Sequence, residues 1–157
     1  MSLTDELARI DDELRRAYDG DCCHGPPLRE VLTGVTAATA AARHPQLTQS
    51  VWTLVNHLSA WAEVAALRIS EWRGIESPDA GDFPPATDDG DTAWAAVLGT
   101  LDRRHRKLLD VVAGLDASKV DETVPGKTYP VAVTLHGTSK HCAYHAGQIA
   151  LLKKLVG

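Results

Sequence analysis

The chain of 157 residues is 44% hydrophobic and has a formal net charge of -5, with charges of both signs scattered along it. This is the size of one domain with a substantial core, so a single domain over residues 1–157 is predicted. The lack of a basic stripe argues against a nucleic-acid partner. No stretch approaches eighteen uninterrupted apolar residues, and the first segment is acidic and amphipathic. We therefore expect no membrane span, no membrane partner and no signal peptide, and a cytoplasmic protein.

The three cysteines do not predict a disulfide framework, because their number is odd and two of them, Cys22 and Cys23, are adjacent. A reducing compartment suits them. The run Cys22, Cys23 and His24 is also a poor zinc site, since three consecutive residues seldom converge on one ion and the chain has no CxxC pair.

Long segments rich in alanine and leucine, without alternating strand patterns, predict an all-α fold. The first helix spans residues 2–18, where apolar residues recur at steps of three and four. Residues 21–27 form a turn, and residues 28–43 have room for one or two short helical turns before Pro45.

The second long helix begins with Thr48 or Ser50 as its cap and has an apolar face that extends to Trp72, with His57 beside it. A Gly-, Pro- and Asp-rich loop follows over residues 73–90. The third helix is capped by Asp91 or Thr92 and ends near Gly114, and the last helix covers residues 134–156. These connections exceed the two to eight residues usual in up-and-down bundles, so overhand crossovers are allowed, and a long loop often covers a site.

The last predicted helix carries His141 and His145, four residues apart. This spacing puts both imidazoles on one helix face, roughly 6 Å apart along the axis, so both can reach a single ion. The same face continues through Gln148 and Leu152, the stripe that a helix buries inside a bundle. Two inward-facing imidazoles each need a partner. Metal ligation is therefore favoured over a histidine pair without an ion.

Two known kinds of metal site are excluded. The zinc protease pattern HExxH needs a glutamate after the first histidine, and that position is Cys142. A di-iron carboxylate bundle needs Glu-x-x-His pairs, and no glutamate in the chain has a histidine three residues on. A third ligand must come from another helix, and His57 is the best placed candidate. Its alternative role is that of a lone bundle histidine bonded to a backbone carbonyl.

Other polar and aromatic residues have ordinary structural interpretations. His105, among arginines, is expected to be solvated, and His44 to lie exposed in a loop. His136 falls off the ligand face and is expected to pack or cap near the helix start. Cys142 is expected to pack between helices. The four tryptophans are expected in the core: Trp52, Trp61, Trp72 and Trp94.

Three segments carry a family resemblance: HCAYHAGQIALLKK preceded by LHG, VWTLVNHLSAW, and HGPPLREVLTGV. Together they resemble the DinB-like (YfiT-type) superfamily of metal-dependent enzymes over nearly the whole chain. The resemblance implies a four-helix bundle with up-down-down-up topology and long crossover loops. It also implies a metal held by His57, His141 and His145 on the second and fourth helices, and a homodimer.

Relatives in that superfamily include transferases and isomerases that use low-molecular-weight thiols, so the resemblance implies a small-molecule substrate with such a thiol among the candidates. We expect a divalent metal ion, with zinc or nickel favoured and iron or manganese as alternatives. It would activate a thiol or water for a transferase or hydrolase reaction, with Trp61 as a pocket wall and Gln148 orienting a ligand. No carboxylate has general-base spacing on these helices, so the bound nucleophile would supply its own base. The competing hypothesis is a non-catalytic bundle that a metal braces, or one that responds to stress.

Overall fold

The computed structural model describes residues 2–23 and 25–157. Within this range the chain is helical and contains no β-strand. The α-helices are α1 (Leu3–Asp19), α2 (Leu28–Leu32), α3 (Ala37–Ala41), α4 (Val51–Ser70), α5 (Asp91–Ala113) and α6 (Val131–Val156), with a short 3₁₀ helix at Ala117–Lys119. The predicted all-α fold is confirmed, and the short turns expected over residues 28–43 are α2 and α3. None of these helices is long and apolar enough to cross a membrane.

The helix starts show which predicted caps form. Ser2 and Asp5 make a capping box at α1, and Ser50 makes one with Thr53 at α4, so Ser50 is the cap of the second long helix. The expected cap of α5 is wrong. Asp91 is its first helical residue, where the carboxylate complements the helix dipole, and Gly90 precedes it without a side-chain cap.

The end of α4 also differs from the prediction. The helix stops at Ser70, and Trp72 adopts a left-handed backbone with φ of 49°. Trp72 is half-buried and packs against the core from outside the helix. Trp52 and Trp94 are buried core residues, as predicted, with their rings 5.1 Å apart. Trp61 is half-buried and faces a cavity.

The long helices pack around two core clusters. The first cluster contains residues from the start of α4, the start of α5 and the end of α6, among them Leu54, Leu58, Trp94, Leu101, Ile149 and Leu152. The second contains residues from α1, the end of α4, the end of α5 and the start of α6, among them Ile10, Leu14, Ala65, Ile69, Leu108, Val112, Val131 and Leu135. Position 141 on α6 falls between the residues that this helix gives to the two clusters. Position 57 on α4 lies next to Leu58, the last residue that α4 gives to the first cluster.

The loop between α4 and α5 folds back along α4. Asn56 donates from Nδ2 to the carbonyl of Pro84 at 3.0 Å, and Trp61 donates from Nε1 to the carboxylate of Asp82 at 2.7 Å. These bonds place residues 82–85 beside the middle of α4. If this long connection covers a site, as the sequence suggests, that site lies beside the middle of α4.

His105 is buried, not solvated as its arginine neighbours suggested. It is 9% exposed and stacks on Tyr18 with ring centroids 3.8 Å apart. Its place on α5, four residues after Leu101, puts it on the packed face while the arginines take other faces of the helix. Burial, and then the charge of Arg15, lowers the pKa of His105 to about 4, so the ring is neutral.

His136 does not cap the helix, but it does pack against a neighbouring helix. The helix begins earlier than predicted, at Val131, so His136 lies inside it and bridges α6 to α1. Its two ring nitrogens lie 2.8 Å from carboxylate oxygens of Glu6 and Glu13. Burial alone would lower the pKa of His136, but these hydrogen bonds outweigh it and raise the pKa. His44 is in a loop as expected, but is half-buried.

We expect His105→Phe to remove part of the acid sensitivity of the fold. The unfolded chain protonates His105 near pH 6.5 whereas the folded state resists protonation until about pH 4. The histidine therefore destabilises the fold increasingly as pH falls through this window. Phenylalanine keeps the stack on Tyr18. Urea unfolding should show a gain over the parent that is on the order of 2 kcal/mol larger at pH 5 than at pH 7. Equal gains at both pH values would contradict the assignment.

Candidate metal centre

Three histidine side chains from α4 and α6 meet inside the bundle. One ring nitrogen from each of His57, His141 and His145 lies within 4.8 Å of the others, and the Nε2 atoms of His57 and His141 are 2.8 Å apart. The ring centroids form a nearly equilateral triangle with sides of 4.6 to 4.8 Å. His57 and His145 are buried, and His141 is half-buried. The structure thus brings together the three residues that the sequence singled out as ligands.

Helix geometry explains the convergence. His141 and His145 are one turn apart and share a face of α6, and α4 packs against α6 with His57 on its buried side. Cys142 lies next in sequence to His141 but faces α1, where its Sγ contacts the carbonyl oxygen of Ala17 at 3.4 Å. Burial raises the pKa of the Cys142 thiol to about 12, so it is a neutral packing group, as predicted.

Two of the imidazoles are held in one tautomer by oxygen acceptors. His57 donates from Nδ1 to the backbone carbonyl of Asp82 at 2.6 Å. His145 donates from Nδ1 to Oε1 of Gln148, also at 2.6 Å. When Nδ1 carries the proton, the lone pair of a neutral imidazole is on Nε2, which is free to bind an ion. The contact between Gln148 and His145 is the one that an orienting role for Gln148 requires.

The surroundings of His141 and His145 favour their neutral forms. Burial, followed by the proximity of His145 and His57, lowers the pKa of His141 to about 4. Burial also lowers the pKa of His145, with a smaller opposing effect from its bond to Gln148. Since metals bind the neutral imidazole, protons do not compete for these nitrogens near pH 7.

The loop after α4 completes the surroundings of His57. Phe83 stacks on the His57 ring with centroids 4.1 Å apart. The carboxylate of Asp82 lies 3.2 Å from His57 Nδ1 and also accepts the indole N–H of Trp61. Helical spacing could not predict Asp82, because it reaches the site from a loop. The expectation that no carboxylate has general-base spacing concerned the helices alone, and Asp82 adds a carboxylate from the loop. The sequence feature that could have pointed to Asp82 is an acidic residue in the long loop that follows the helix with His57.

A cavity of about 390 Å³ borders the cluster. It lies between α4 and the first half of α6, under the loop, and its wall includes His57 and His141. The remaining lining residues are Trp61, Ala65, Arg68, Asp82, Tyr129, Val133, Thr134, Gly137 and Thr138. Trp61 thus lines this cavity. The volume is within the range of small-molecule sites.

The donor set fits a divalent metal ion. Three imidazole nitrogens at these separations could hold one, and the oxygen acceptors on Nδ1 are those usually found behind metal-binding histidines. The other candidate that the sequence raised was the run Cys22, Cys23 and His24. Cys22 and Cys23 are free thiols, and His24 lies outside the described residues.

The sequence profile of the DinB superfamily matches residues 27–149. No curated protein matches the chain, and neither does any solved structure. The match contains His57, His141 and His145 and leaves out α1 and the last turns of α6. Because it covers well over half of the sequence and all three clustered histidines, the chain belongs to the DinB superfamily.

Proposed function

We propose that the protein is a metal-dependent enzyme, a transferase or hydrolase, that activates a small thiol or water for attack on a small electrophile. The observation that carries this proposal is the position of the three histidines. Their ligand nitrogens converge, and two of the rings form part of the wall of a cavity large enough for a small molecule. A purely structural metal site is usually closed by four protein ligands.

We propose His57, His141 and His145 as the ligands of a divalent ion. Neutral nitrogen ligands suit zinc or nickel, with iron and manganese as alternatives. When bound by three uncharged imidazoles, such an ion supplies a Lewis acid that lowers the pKa of a thiol or water.

The neighbouring residues have separate roles in this proposal. Gln148 and the carbonyl of Asp82 fix the rings of His145 and His57, so the site is rigid before it is loaded. Trp61 forms an apolar wall that excludes water from one side of the cavity. The Asp82 carboxylate lines the same cavity and takes up the proton that the nucleophile loses.

We also propose the up-down-down-up path expected for a four-helix bundle. The first core cluster joins the start of α4 to the start of α5 and the end of α6, which supports a common direction for α4 and α5 and the opposite one for α6. Along α1, Glu6 contacts His136 and Ala17 contacts Cys142, so α1 runs with α6. Two consecutive helices that run in the same direction need a long connection, and residues 71–90 connect α4 to α5 in this way.

The alternative function is a bundle that the metal only braces. Removing the metal distinguishes the two. The enzyme proposal expects a small change in melting temperature and a response of the cobalt-substituted protein's visible spectrum to small thiols. A large loss of stability without any spectral response would instead favour the brace.

Metal analysis of protein purified without a histidine tag should find about one equivalent of a divalent metal. We expect His57→Ala and His145→Ala to retain little, because each removes one of the three ligands. His136→Ala is the matched control, since His136 lies on α6 but pairs with α1. Its metal content should equal that of the parent. Metal in the ligand variants at the parent level would overturn the site.

We expect Gln148→Ala to weaken metal binding roughly 10- to 100-fold without unfolding the protein, because His145 loses the acceptor that fixes its ring. Asp82→Ala should cost less, since His57 keeps the backbone carbonyl of residue 82. Competition with a chelator of known zinc affinity measures both. Equal losses in the two variants would argue against this division of roles.

Gly137 offers a test of the cavity itself. It faces the cavity from within α6, and a Cβ atom there would meet nothing within 4 Å. Gly137→Ala should therefore stabilise the fold by roughly 1 kcal/mol through helix propensity. Gly137→Phe should fill the cavity and weaken thiol binding to the cobalt-substituted protein while its metal content stays at the parent level.

Gly147→Phe is the control for this substitution. Gly147 is also exposed on α6 with open space around it, but it does not line the cavity. It should leave thiol binding unchanged. Equal effects of Phe at the two positions would mean that thiols bind elsewhere.

A further inference from the structure

Arg68 is a buried cation at the wall of the cavity that borders the histidines. It is on α4, eleven residues after His57, and is 8% exposed. Its Nε donates to the backbone carbonyl of Ile75 at 2.7 Å, and its guanidinium lies 5.5 Å from the centroid of the Trp61 ring. The backbone bond and the aromatic ring hold the head of the side chain in place at the cavity.

No carboxylate pairs with Arg68 among the residues that the structure describes. Glu76 is close enough for Arg68 to contribute to its lowered pKa, but the main cause of that shift is its hydrogen bond to Lys127, at 2.8 Å. A guanidinium has five N–H donors, and burying a charge without a counter-charge is unfavourable. A fixed, buried and unpaired arginine at a cavity is therefore suited to bind an anion that enters the cavity.

The cavity has one formal charge of each sign. Of the described lining residues, Arg68 alone is a lysine or arginine and Asp82 alone is an acid. Trp61 lies between them: its indole N–H bonds Asp82, and its ring contacts the guanidinium. The Trp61 and His57 rings are 6.3 Å apart. Arg68, Trp61 and His57 thus lie along one wall, and a small molecule in the cavity can contact both the guanidinium and the histidine cluster.

We propose that the substrate of this site carries a carboxylate that binds Arg68 while its reacting end lies at the three histidines. This proposal rests on the proposed function, since it assigns a substrate class to the same site. The planar guanidinium matches a carboxylate in two-point hydrogen bonding. A single cation beside Asp82, in a chain of net charge -5, suits a monoanion better than a phosphate dianion. Tyr129 and Thr134 add hydroxyl groups to the same wall.

Two thiols of equal length test the proposal. Cobalt-substituted protein is titrated with 3-mercaptopropionate and with neutral 3-mercaptopropan-1-ol, and binding is followed by the visible spectrum. The acid should bind roughly 10- to 100-fold more tightly, as expected for a charge-assisted hydrogen bond pair. Arg68→Met should bring the ratio to about one. Arg104→Met is the control, because Arg104 pairs with Glu63 and lines a different cavity. It should keep the parent ratio.

A second measurement needs no metal. In metal-free protein labelled with ¹⁵N, propionate should shift the indole N–H signal of Trp61, which Trp61→Phe identifies, and propan-1-ol should not. Arg68→Met should abolish the shift. Arg68→Gln takes its place if Arg68→Met does not fold, and the same loss is expected.

The outcomes separate the two proposals. Protein that binds cobalt and both thiols with equal affinity overturns the carboxylate assignment and leaves the metal site intact. Protein that does not bind cobalt overturns the proposed function, and the propionate titration then decides the role of Arg68. No shift of the Trp61 signal by propionate in the parent would overturn that role.

Discussion

The packing of α4 against α6 is the constraint on which the site depends. Each helix alone carries an incomplete ligand set: one histidine on α4 and two on α6. Both apolar clusters contain residues of α4 and of α6, so together they fix the separation and rotation of the two helices. The separation of the three imidazoles therefore follows from the way α4 packs against α6.

The loop over residues 71–90 converts this arrangement into a functional environment. Its backbone carbonyl at Asp82 orients His57, Phe83 covers the ring, and the Asp82 carboxylate reaches the neighbouring cavity. The loop is anchored to α4 by hydrogen bonds from Asn56 and Trp61. One element thus orients His57 and forms part of the cavity wall. A rigid pair of helices with a covering loop is a common division of labour in enzymes.

Buried polar groups in this protein fall into two kinds. The hydroxyl of the buried Tyr18 bonds to the carboxylate of Asp102, which also accepts from the exposed Arg29, so Tyr18 is compensated within the fold. Among the described residues, no carboxylate is hydrogen-bonded to Arg68, which lines a cavity. The contrast matters because an uncompensated buried charge lowers stability unless something else offsets it. The proposed anion, bound in the cavity beside the histidine cluster, would supply this compensation.

The sequence by itself determined the helices, the boundaries near Ser50 and Gly114, and the pairing of His141 with His145, because these follow from local periodicity and capping. It also ranked His57 as the third ligand, although residue 57 is 84 positions from residue 141 and only a fold can join them. Tertiary structure alone decided the contributions of Asp82, Phe83 and Arg68, and the burial of His105. Loop paths and the choice of which helix face is covered depend on contacts between distant segments, and no repeat of three or four residues encodes those contacts.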